Sequence, residues 1–270
     1  MITQISIIDR ISANFQTWRL RHKIKASLKK NLVFSAEKFF AEQGLQTIDR
    51  IPSPASFPGL EARIASFSEG IQSYAKEHGA SPEKPVEVVI AVGDSITEFF
   101  KGHSKNIDDR LNFGIAGSCW PHFSLVIAAV APLLEQYGLR VRAVLLGCGG
   151  NGLLAHQSWA GFARDGRECF TATRKAFAFA RIMVYGLPPV FDPYATILQE
   201  TAQLWFNRWL VGSDANAVYL DILARFGGGL FGLFPKAWLS IDGVHMTPAG
   251  QFEFDDMITT GLTAPSWSTI

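Results

Sequence analysis

Apolar residues near the start of the chain recur at three- and four-residue steps (Ile5, Ile8, Ile11, Phe15, Trp18), the period of a helix with one buried stripe. A second helical run is expected over residues 34–43, where Phe39 and Phe40 lie beside a basic neighbour. Three prolines within residues 51–58 break helix and ladder alike and mark a linker. Residues 59–78 read as another helix, with Glu61 in its first turn and Gly79 at its end. The period then changes. Short apolar runs at 86–92, 111–115, 141–146, 180–185 and 217–220 read as strands buried on both faces. Helices are predicted over 123–137, 169–179, 194–210 and 248–260, and Gly138 and Gly212 fall where a left-handed cap would close two of them. Gly227-Gly228-Gly229 marks a pliable loop. Strand alternating with helix predicts an α/β fold whose parallel sheet, about five strands wide, is covered on both faces. The chain divides into a helical N-terminal extension with its linker, 1–84, and a main domain, 85–270.

Composition changes this picture little. Of the 270 residues, 48% are apolar and 18% charged, the balance of a chain that folds around a core. The net charge of +1 gives no general attraction to nucleic acid, and no nucleic-acid partner is expected. The charge is unevenly spread: in residues 1–40 eight Lys and Arg face only Asp9 and Glu37, so that stretch carries +6 and the rest −5. A basic helix of this kind ordinarily packs its apolar stripe on the domain and leaves its charges in water. The sharper expectation is weak contact of residues 1–48 with an anionic membrane surface. Cys119, Cys148 and Cys169 are odd in number and lack paired spacing, which argues against a disulfide scaffold or a zinc site and for buried thiols. Asp9 and Arg10 interrupt any signal-peptide core, and glycines and prolines punctuate the longest uncharged stretch, 112–134. A cytoplasmic location follows as the expectation.

Chemistry enters at the end of the first predicted strand. Gly93-Asp94-Ser95 puts a serine where open α/β sheets carry ligands, and Asp242-Gly243-Val244-His245 supplies a histidine with an acid three residues before it. Serine is a poor nucleophile without a base, and imidazole titrates near neutral pH. One loop can present both Asp242 and His245, the carboxylate fixing the imidazole tautomer. Two glycine-rich segments lie between: Asn112-Phe113-Gly114-Ile115-Ala116-Gly117 and Gly147-Cys148-Gly149-Gly150-Asn151. Each residue also has a plain reading. Ser95 with Glu98 three residues on fits a capping box, Asp242 fits a turn, and Gly114 and Gly117 fit turn glycines. The other histidines (His22, His78, His103, His122, His156) show no ligand spacing. The joint order of the four segments favours the chemical reading.

Taken in that order, the four segments resemble the sequence blocks of the GDSL esterases and lipases, also called SGNH hydrolases, over about residues 86–255. The resemblance implies a three-layer αβα, flavodoxin-like sheet in the order 2-1-3-4-5. It makes Ser95 the nucleophile, His245 the base and Asp242 its orienting acid. Gly117 and Asn151 become oxyanion-hole donors together with the Ser95 N–H, and Asp94 a supporting residue of the nucleophile turn. In one departure, the family usually has Asp after the Asn, and here Gly152 stands there. The implied reaction hydrolyses a carboxylic ester through an acyl-enzyme on Ser95, with no metal or organic cofactor. The substrate would be a small-molecule ester such as an acylated carbohydrate or a lipid. An O-acyltransferase would use the same triad, and a silent ligand-binding protein would keep the fold without the chemistry. The pocket is expected in the loops 99–112, 153–168, 188–194 and 226–238, lined by Trp159, Phe162, Phe191, Phe231, Phe234 and Trp238.

Overall fold

The computed structural model describes residues 48, 49, 51, 59–147, 149–155, 157–186, 214–226 and 245–265. Five parallel strands form its centre: β1 (Val86–Gly93), β2 (Asn112–Gly114), β3 (Leu139–Leu146), β4 (Arg181–Tyr185) and β5 (Ala217–Leu220). Their order across the sheet is β2-β1-β3-β4-β5, the arrangement that the resemblance implies. Each strand lies within two residues of its predicted bounds. Val88 to Val92, Ala143 to Leu146 and all of β5 are buried, and this is why these segments read as continuous apolar runs. One irregularity interrupts the β1–β3 pairing, where Val88 pairs with Val141 but Val89 with Ala143. The extra residue, Arg142, is thereby turned out to solvent.

Helices cover both faces. α1 (Leu60–His78) sends Phe67, Ile71 and Ala75 into the same core as the sheet, with the Phe67 ring edge-on to Phe113 at 5.1 Å. A single turn, α2 (Ser95–Glu98), follows β1 directly. α3 (Trp120–Gln136) starts three residues before its predicted bound because Pro121 sits in the first turn, where no amide hydrogen is needed. Past it Gly138 has φ +69°, the left-handed position expected of it. A short α4 (Gly150–Leu154) and a long α5 (Trp159–Ala176) follow β3. Here the sequence reading needs correction: α5 begins ten residues before the predicted 169, inside a stretch read as a pocket loop. Its N-cap is Ser158, whose Oγ accepts from Gly161 N at 3.0 Å, and its glycines Gly161 and Gly166 are buried. α6 (Ile222–Arg225) and α7 (Pro248–Thr263) complete the described elements. α7 packs on β4 and β5, and its Phe254 meets the Tyr185 ring edge-on at 5.2 Å.

Several expectations fall on residues outside those described: the helices of the extension up to residue 47, the helix over 194–210, Gly212 and the glycine loop 227–229. No helix among the described residues is long and apolar enough to cross a membrane.

Candidate active site

The site lies beyond the carboxyl ends of β1, β2 and β3, where every strand hands over to a turn. Ser95 is the first residue of α2, half-buried at the end of β1. His245 arrives from the other end of the chain, two residues before the Thr247 cap of α7. Its Nε2 is 2.8 Å from Ser95 Oγ, a hydrogen bond between residues 150 apart in sequence. The edge-on ring of Phe99, 4.8 Å away between centroids, backs the imidazole. Gln251 Nε2 donates to Phe99 O at 2.9 Å, so α7 grips the chain just past α2. Asp242 lies outside the described residues.

Asp94, not Ser95, caps α2. Its Oδ1 accepts from Ile96 N at 3.0 Å, and it takes a second hydrogen bond from the Tyr185 hydroxyl at 3.3 Å. Glu98 therefore forms no capping box with Ser95: its carboxylate accepts from Ala116 N at 2.7 Å and pairs with Arg63. The Ser95 side chain is left for His245. Burial pushes the Asp94 carboxyl above the usual range, opposed by those two donors and by the nearby His245.

The glycine segments bring the chain close to this turn. A Cβ on Gly114 would lie 2.3 Å from Glu98 N. Asn112 Nδ2 donates to Thr97 O at 2.7 Å while its Oδ1 accepts from Gly114 N at 3.0 Å, so β2 is clasped to α2. Gly117 is exposed with φ +80°, a conformation that favours glycine. Among the described residues no acceptor takes its N–H. Asn151, in α4, donates one amide hydrogen to Ser118 O at 2.9 Å, which fixes its side chain and leaves the second hydrogen for another acceptor. Ser118 is a residue that the sequence reading missed. Its Oγ lies 2.6 Å from Ile115 O and 3.1 Å from Gly93 O, so it joins the ends of β1 and β2 to the Asn151 loop. Its place next to Gly117 was the only available signal.

At position 152 the missing carboxylate has a structural counterpart. A Cβ on Gly152 would stand 2.6 Å from Gln157 Oε1, so the buried Gln157 amide occupies the space beside it. That amide is held by Asp165, with Nε2 donating to Oδ2 at 2.7 Å. Two further readings are corrected here. Phe162 is fully buried between Trp120 and Trp159, so its ring lines no pocket, and the half-buried Trp159 stands in the first turn of α5, not in a loop. His122 accepts from Cys119 N at 2.9 Å and caps α3. Burial pushes the Cys119 and Cys169 thiols up to about 12, which suits inert, protonated core groups. Cys148, His156, Phe191, Phe231, Phe234 and Trp238 lie outside the described residues. Among those described, no group of three or more His, Cys, Asp or Glu is placed to hold a metal ion.

The parallel sheet in this order, flanked by helices, is a three-layer α/β fold that solved GDSL-like hydrolases share. A GDSL-like lipase from Bacteroides thetaiotaomicron superposes with a TM-score of 0.51 at 15% identity, over 73% of this chain and 98% of that one. A protein from Streptococcus pneumonia described as a candidate platelet activating factor superposes with a TM-score of 0.50 at 19% identity, over 75% and 96%. No family model and no curated protein matches the sequence.

Proposed function

We propose that the chain is a serine esterase that hydrolyses a carboxylic ester through an acyl-enzyme on Ser95. The observation that carries this reading is the 2.8 Å contact between His245 Nε2 and Ser95 Oγ, made on a side chain that its own helix does not use. His245 takes the serine proton during attack and returns it to the departing alcohol. Asp242 holds the imidazole from Nδ1. The carbonyl oxygen, as it gains charge, is met by the N–H groups of Ser95 and Gly117 and by the second amide hydrogen of Asn151. Water then releases the acid by the same steps in reverse order. Asp94 keeps the turn under the nucleophile in shape. The ester is a small molecule with apolar character, since the half-exposed Phe99 ring flanks the base. Weak contact of residues 1–48 with an anionic membrane belongs to the same proposal. A chain lacking residues 1–48 should then keep soluble-ester hydrolysis and lose sedimentation with anionic vesicles.

The experiment is hydrolysis of p-nitrophenyl acetate, butyrate and octanoate by the wild type and by Ser95→Ala, both checked for folding. The expected result is wild-type turnover that falls by roughly 10⁴ or more in the variant. Equal, feeble rates from the two proteins would remove the esterase reading and favour a ligand-binding member of the fold.

A further inference from the structure

A tyrosine hydroxyl stands beneath the nucleophile turn. Tyr185, the last residue of β4, is fully buried, and its oxygen is 2.7 Å from Thr97 Oγ1 and 3.3 Å from Asp94 Oδ1. A phenol has one proton to give, and this hydroxyl is directed at Asp94 Oδ1. Tyr185 therefore donates to Asp94, and Thr97 must donate to Tyr185. The chain of hydrogen bonds runs one way, and its two ends lie on either side of Ser95: Asp94 just before it, Thr97 two residues after.

Two glycines make room for this hydroxyl. A Cβ on Gly93 would come 2.0 Å from Thr97 Oγ1 and 3.0 Å from the Tyr185 oxygen, and one on Gly147 would come 3.1 Å from that same oxygen. The glycines that open the first and third motif segments thus clear the path by which a side chain from β4 reaches the end of β1. Asp94 also directly precedes Ser95 and caps the helix that carries it. Whatever holds Asp94 accordingly bears on the serine's side of the serine–histidine bond.

We propose that Tyr185 is a positioning residue for the reaction at Ser95, acting through Thr97 and Asp94 to hold the turn in the geometry that meets His245. The inference rests on the esterase reading above. It touches neither substrate nor reacting atoms, so its loss should appear in turnover and leave binding alone.

The test compares the wild type with Tyr185→Phe, Thr97→Val, Thr97→Ser and the Tyr185→Phe/Thr97→Val double variant. Steady-state hydrolysis of p-nitrophenyl butyrate and the rate of Ser95 labelling by a fluorophosphonate are measured on each. Tyr185→Phe should lower kcat and the labelling rate by about tenfold, the worth of one hydrogen bond to a charged group, with KM within about twofold. Thr97→Val should cost a similar factor, Thr97→Ser should restore wild-type rates, and the double variant should be no worse than either single one. The Thr97 pair decides the matter if Tyr185→Phe fails to fold. Wild-type kcat in Tyr185→Phe, or equal losses in Thr97→Ser and Thr97→Val, would overturn the inference while the labelled wild type keeps the esterase reading. A wild type that neither labels at Ser95 nor turns over would overturn that reading and this inference with it.

Discussion

Gly114 sits so close to the turn after Ser95 that a methyl group there would overlap backbone. An added Cβ would lie 2.3 Å from Glu98 N and 2.8 Å from Thr97 C, and backbone cannot swing aside as a side-chain tip can. Gly114→Ala should therefore displace α2, costing about 1–3 kcal/mol of stability in the manner of an overpacked core. Because α2 presents Ser95, ester hydrolysis should fall well beyond what the stability loss accounts for, and paired melting and activity measurements check both. Asn151→Ala removes one proposed oxyanion donor and should lower kcat on the order of 10²–10³ with little change in KM. Part of the site was legible at this scale. Ser95 and His245 stood out because few residue types can act as nucleophile and base, and a strand end or a nearby acid marked each. Ser118, Tyr185 and the true partners of Glu98 did not stand out. Their hydrogen bonds link segments far apart in sequence, and no local pattern encodes which strand end will lie beside which.

Helix caps set the next level. The Cys119 N–H donates to His122 Nδ1, so the cap of α3 requires an unprotonated nitrogen, and burial holds the His122 pKa below its ordinary 6.5. The unfolded chain therefore binds a proton more readily than the folded one, and stability falls as pH drops below 6.5 toward the lowered folded value. His122→Gln keeps an acceptor at the third helical position and should flatten the pH dependence of Tm on the acid side while leaving the neutral Tm nearly unchanged. The strands were readable because burial on both faces demands unbroken apolar runs. α5 was not, since Gly161 and Gly166 lower its intrinsic propensity and its first turn resembles a loop. What makes it a helix is packing against α3, together with the Ser158 cap, neither of which a periodicity count weighs. The same error placed Phe162 at a pocket wall instead of in the core.

At the scale of the molecule, the chain ahead of the sheet is stitched to the start of α5. Ile48 pairs with Gln157, Ser158 donates to Asp49 Oδ1 at 3.0 Å, and Arg164 reaches both the carboxylate and the carbonyl of Asp49. Gly161 makes the seam possible, because a Cβ there would stand 1.9 Å from Asp49 O. Replacing a helical glycine by alanine ordinarily stabilises, by up to about 1 kcal/mol in a helix interior. Here Gly161→Ala should lower Tm instead and speed proteolysis near residue 49, and a raised Tm would show that the seam contributes nothing. The sequence marked a linker near this point but not its anchorage, which depends on a backbone carbonyl. The distance between Ser95 and His245 along the chain has a consequence for the protein's own synthesis. The serine at the end of β1 leaves the ribosome early, whereas the histidine it bonds follows 150 residues later. Until α7 docks and brings Gln251 against Phe99, a nascent chain can carry a finished β1 whose Ser95 still lacks its histidine partner. The bond between Ser95 and His245 is thus among the last contacts this protein can form.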